Sequence, residues 1–151
     1  MSQKKIKNSS PRVRIIQKIY GSLMNPDEQI TYPKSQYKKF IKDVVSGTLE
    51  RIELIEDTIT SNLGDDIQLE KTDKLLKIIL FAGVFELLFK HNTPKKVVIS
   101  EYVGASEFFL ERAQIKYLNA VLDKLSKIIR KDWITRKFSL RFFVFFGIYP
   151  S

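Results

Sequence analysis

A chain of 151 residues, 44% of them hydrophobic, is one domain's worth and holds ample apolar material for a packed core. With no cysteine and a single histidine, His91, it excludes a disulfide framework, a thiolate metal site and a cysteine nucleophile, and no metal or cofactor is expected. Its formal charge of +9 gathers at the start, where Lys4, Lys5, Lys7, Arg12, Arg14 and Lys18 precede any acid; such an arm suits a polyanion or serves plain solubility.

The opening MSQKKIKNSS has no apolar run behind its charge, so a signal peptide is not expected. Pro11 behind Ser10 predicts a capped helix to about Met24, with Val13, Ile16, Ile19, Tyr20 and Leu23 on its apolar face. NPDEQITYPKS, with two prolines, is a loop. From Ser35 the spacing of Phe40, Ile41, Val44, Val45, Leu49, Ile52, Ile55, Ile59 and Leu63 predicts one long helix, or two with a break near Ser46-Gly47-Thr48; Gly64 ends it.

Thr72 is the expected cap of the next helix, whose stretch LLKIILFAGVFELLF at 75–89 is apolar nearly all round and therefore central. Lys77 and Glu86 interrupt it, and it falls short of the roughly 20 residues that span a bilayer, so a cytoplasmic protein without membrane contact is expected. Thr93-Pro94 predicts another helix start, with Val97, Val98, Tyr102 and Val103 facing inward. A loop near Glu111-Arg112 leads to a last helix, in which Leu118, Val121, Leu122 and Leu125 form the stripe. The tail 137–151, KFSLRFFVFFGIYPS, is dense in phenylalanine and has no clear role.

No strand alternation, repeat, glycine-rich phosphate loop, nucleophile with a histidine base or paired catalytic carboxylates is evident, so a non-enzymatic, all-α protein is expected. Several segments in order resemble the NusB family of transcription antitermination factors: PRVRIIQKIYGSL with Gln17 and Tyr20, FIKDVVSGTLERIELIEDTI, LEKTDKLLKIILFAGVFELLF, TPKKVVISEYVGASEFF and KYLNAVLDKL. The likeness covers about residues 10–130. It divides the chain into a basic arm at 1–9, a domain at 10–131 and a tail at 132–151.

The resemblance implies two perpendicular three-helix subdomains. It also implies binding of boxA-type single-stranded RNA together with NusE, a small-subunit ribosomal protein. The two act on RNA polymerase with NusA and NusG, notably on ribosomal RNA operons. Where relatives carry a fuller arginine cluster, this chain has Asn8, Ser9, Ser10 and Pro11, which shifts the expected phosphate contacts toward Lys4, Lys5 and Lys7, with Arg12, Arg14 and Lys18. Tyr20 fits either base stacking or helix packing, with packing favoured, whereas Tyr117 beside Lys116 favours RNA.

Lys116, Asn119, Asp123 and Lys127 are spaced to share a helix face. Asn119 is expected to bond nearby backbone and Asp123 to pair with Lys127; otherwise this face meets RNA and NusE. Glu86 reads as a structural carboxylate bonded to a helix end or a basic side chain, and Glu101 as solvated or meeting NusE. Two other readings stay open: the RNA-binding appendage of a truncated RNA cytosine methyltransferase, and a self-associating helical module whose homodimer hides the basic arm.

Overall fold

The computed structural model describes residues 10–130, and among them it contains six α-helices and no strand. The helices are α1 Pro11–Met24, α2 Lys38–Glu50, α3 Ile52–Leu63, α4 Lys74–Phe89, α5 Lys95–Ser106 and α6 Arg112–Ile129. The arm at 1–9 and the tail lie outside the described residues. No described helix is long and apolar enough to cross a membrane.

Apolar side chains all round α4 place it at the centre, where 11 of its 16 residues are buried. It packs against α1, α2, α3, α5 and α6, so the two successive runs of three helices share one core through it. α1 starts as its sequence predicts, with Ser10 Oγ accepting from Val13 N at 3.4 Å and Pro11 at the first helical position. Its inward face is wider than a single stripe: Ile15 and Ile16 are both buried because α2, α4 and α5 surround the helix. Tyr20 and Leu23, expected on that face, are 39% and 38% exposed instead.

The break between α2 and α3 falls at Arg51 rather than at Gly47. Gly47 is needed for a different reason. A Cβ there would lie 2.2 Å from Phe85 Cζ, so α2 approaches α4 at a distance that only glycine allows. Because Phe85 is itself buried and cannot swing aside, Gly47→Ala is expected to destabilise the fold by about 1–3 kcal/mol, the usual range for overpacking, measured by urea denaturation. A loss below about 0.5 kcal/mol would mean the Phe85 ring relocates freely.

Two further boundaries differ from expectation. The cap of α4 is Asp73, whose carboxylate accepts from Leu75 N and Leu76 N, while Thr72 Oγ1 turns back to the Gln68 carbonyl. α5 begins at Lys95, one residue later than a Thr93 cap implies, and has no side-chain cap. Its buried stripe is Val98, Tyr102, Ala105 and Ser106; Val97 is off that stripe and 40% exposed. α6 opens with a capping box between Glu111 and Gln114.

Candidate nucleic-acid interface

Arg12, on the first turn of α1, points into the protein. Its Nη2 donates to Glu86 Oε1 at 2.8 Å and its Nε to Oε2 at 3.2 Å, a two-pronged pair between residues 74 positions apart. Glu86 is fully buried on α4, and only 11% of the Arg12 side chain is exposed. The guanidinium also lies 4.7 Å from the Phe40 ring centroid. Burial opposes the Arg12 charge, but the hydrogen bonds and charge of Glu86 outweigh it and hold its pKa above the ordinary value. Tyr102, wholly buried beside the pair, is pushed well above the usual phenol range, first by burial and then by the Glu86 charge.

Glu86 thus has the basic partner expected of a structural carboxylate. Arg12, grouped by sequence with the phosphate-contacting cations, is its partner, so most of its side chain is withdrawn from the surface. Glu101 is exposed on α5, close enough to act on the Arg12 charge.

Arg14 and Lys18, one turn apart on α1, are brought to a cleft of about 510 Å³ between that helix and the segment entering α2. Tyr32, Lys34, Ser35 and Lys38 supply the opposite wall, and no carboxylate lines it. Lys18 donates to the Thr31 carbonyl and its Nζ sits 5.4 Å from the Tyr32 ring centroid. Tyr32, Lys34 and Lys38 are absent from the sequence-derived candidates because their stretch reads as an ordinary polar loop. The usable clue was TYPKSQYKK, which carries three lysines and no acid.

On α6, Lys116, Tyr117 and Asn119 are exposed, and Tyr117 leaves 38% of its surface to solvent. Asp123 pairs with Lys127 at 3.2 Å, as their four-residue spacing predicts. The backbone bond expected of Asn119 is not made: among the described residues its carboxamide has no hydrogen-bond partner, since it lies away from the Leu118–Leu122 stripe and faces water. α6 packs chiefly on α3, α4 and α5, and none of its residues lines the α1 cleft. Lys4, Lys5 and Lys7 lie outside the described residues.

Among the described residues no group of His, Asp or Glu is arranged to hold a metal ion. Six helices around a buried α4, with cations and aromatic rings dominating the polar surface of α1 and α6, define an all-α module of cationic surface chemistry. The model of the NusB family matches residues 3–127, and the chain belongs to that family.

Among its relatives, the transcription antitermination protein NusB of Sinorhizobium fredii is 38% identical over 102 residues, covering 68% of this chain and 63% of that protein. The protein of the same name from Mesorhizobium japonicum is 36% identical over 94 residues, covering 62% of this chain and 61% of its own length. The chain therefore spans somewhat less than two thirds of these curated relatives. The solved structure of T. maritima NusB superposes with a TM-score of 0.68 at 21% identity, covering 78% of this chain and 88% of that one, which establishes the shared fold.

Proposed function

We propose that this protein is a transcription antitermination factor that binds boxA-type single-stranded RNA together with NusE, and that with NusA and NusG it keeps RNA polymerase processive on ribosomal RNA operons. The observation that carries this reading is the family match over residues 3–127. The surface chemistry supports it: Lys116 and Tyr117 stand exposed side by side on α6, an ammonium for phosphate next to a ring for an unpaired base. On α1, Arg14 and Lys18 line the cleft beside Tyr32, Tyr20 is exposed on another side of the helix, and Lys4, Lys5 and Lys7 precede them in the sequence. In this reading Asn119 and Glu101 are surface polar groups available to RNA or NusE. Asp123 and Glu86 are tied to Lys127 and Arg12 and act through position alone.

The test is fluorescence anisotropy of a labelled boxA-like single-stranded RNA, titrated with and without NusE beside a scrambled sequence. The expected result is selective binding that tightens with NusE and weakens with salt by about 0.7 log units per decade of salt for each phosphate neutralised. Tyr117→Ala is expected to lose about 1–3 kcal/mol of RNA affinity, the range for one stacked base, while its circular dichroism shows the fold retained. Equal binding of both RNAs and indifference to NusE would sink the proposal.

A further inference from the structure

We infer that the cleft between α1 and residues 31–38 is a phosphodiester-binding site that seats about one nucleotide of single-stranded RNA, its phosphate among Lys34, Lys38 and Arg14 and its base against Tyr32. The inference rests on the RNA reading above and adds to it a site to which no residue of α6 contributes.

The first argument is charge. Arg14, Lys18, Lys34 and Lys38 line the cleft with no carboxylate. Three other depressions among the described residues are mixed in sign: Lys18 shares one with Glu28, Lys74 and Lys77 share another with Glu56, and Lys71 and Lys77 share a third with Glu56, Asp57 and Glu70. An ordinary solvated face of this chain therefore balances its lysines, and the cleft does not. Among the described residues neither Lys34 nor Lys38 makes an ion pair. Like charges gathered in a concavity repel one another and raise the local concentration of anions, so the free energy of the site is lowest with an anion in it.

The second argument is the wall itself. Ser35 Oγ is buried there without a hydrogen-bond partner. The 13-residue helix α2 begins at Lys38 with no side-chain cap, so its positive end adds to the field of the lysines.

The third argument separates a nucleotide from a bare anion or an acidic peptide. Tyr32 is a partly buried ring in the wall, with the Lys18 ammonium 5.4 Å from its centroid. A cationic groove that follows a backbone beside a ring that stacks bases is the recurring design of single-strand binding. The volume of about 510 Å³ lies within the roughly 300–1,000 Å³ of sites that enclose a small ligand.

The experiment compares the full chain with Lys34→Ala/Lys38→Ala and with Tyr32→Leu, by anisotropy of a labelled 12-nucleotide single-stranded RNA from 50 to 200 mM salt. Matching circular dichroism and melting curves establish that the variants are folded. Removing both lysines is expected to reduce the salt slope by about 1.4, two phosphates' worth. Losing the ring is expected to weaken binding about fivefold or more without changing the slope. If the parent binds and both variants keep its affinity and slope, the cleft assignment is overturned while the RNA reading stands. If the parent shows no salt-dependent RNA binding, both fall. If polyglutamate displaces the RNA at equal charge and Tyr32→Leu changes nothing, the occupant is an acidic polypeptide and the nucleotide assignment is overturned.

Discussion

Arg12→Met is expected to lower the unfolding free energy by about 3–5 kcal/mol, the range for removing one partner of a buried ion pair. Glu86 has no exposed surface and lies on the most apolar of the described helices, between Phe85 and Leu87. Without the guanidinium, both carboxylate oxygens lose the donors at 2.8 and 3.2 Å. Among the described residues no other cation pairs with Glu86, so the charge must be neutralised or the site opened to water. Urea denaturation reads the loss directly, and a change below about 1 kcal/mol would show that Glu86 finds water or another partner readily.

The double variant Arg12→Met/Glu86→Leu separates the worth of the pair from the penalty of breaking it. Because neutral side chains of similar volume are often as stable in such a position, it is expected to recover to within about 1 kcal/mol of the parent or to exceed it. It also decides what Arg12 does. A pair that only holds α1 against α4 leaves RNA affinity and its salt slope unchanged in the folded double variant. If the slope drops by about 0.7, the 11% of the side chain left at the surface reaches a phosphate after all.

Arg12 also shows where sequence reading stops. Local chemistry is legible: Ser10-Pro11 starts α1, Gly64 with a positive φ of 54° ends α3, and Asp123 meets Lys127 across one turn. The central place of α4 follows from its lack of a polar face, and the charge of Glu86 in such a helix announces a partner. Which partner it is depends on a contact across 74 positions, and nothing near Arg12 distinguishes it from Arg14 two residues later.

The same limit applies to surfaces. Tyr20 continues an apolar stripe, but three neighbouring helices turn the buried face of α1 toward Ile15 and leave the ring outside. The cleft is invisible until α1 and the chain at 31–38 are folded together, because Arg14 and Lys18 lie well upstream of Lys34 and Lys38. Glycine at 47 suggests a helix break near it, whereas its role is to let Phe85 approach.

The far end of the described chain is fastened to the same place as its beginning. Arg130 is 7% exposed; its Nε donates to the Leu87 carbonyl at 2.9 Å, and Nη2 to the carbonyls of Glu86 at 2.9 Å and Lys90 at 2.7 Å. Nη1 donates to the Thr93 carbonyl. These oxygens belong to the end of α4 and the turn into α5, where the helix dipole favours a cation; those of Glu86 and Lys90 also accept from Lys90 N and Thr93 N. One planar guanidinium therefore closes the end of α4 and fixes the last turn of α6 to it.

Hydrogen bonds from a charged donor are worth about 1.5–3 kcal/mol each, and water can replace some of those lost, so Arg130→Met is expected to cost at least about 3 kcal/mol. Arg130→Lys should recover less than half of that, because a point-like ammonium cannot span carbonyls arranged around a fork. Arg12 holds the carboxylate of Glu86 and Arg130 holds its main-chain oxygen, so the two losses are not independent. In the double variant Arg12→Met/Arg130→Met, the sum of the single effects should differ from the measured total by about 0.5–3 kcal/mol. Strict additivity would mean that the start of α1 and the end of α6 are anchored separately; coupling would mean that α4 at Glu86 is the common seat on which both ends of the domain close.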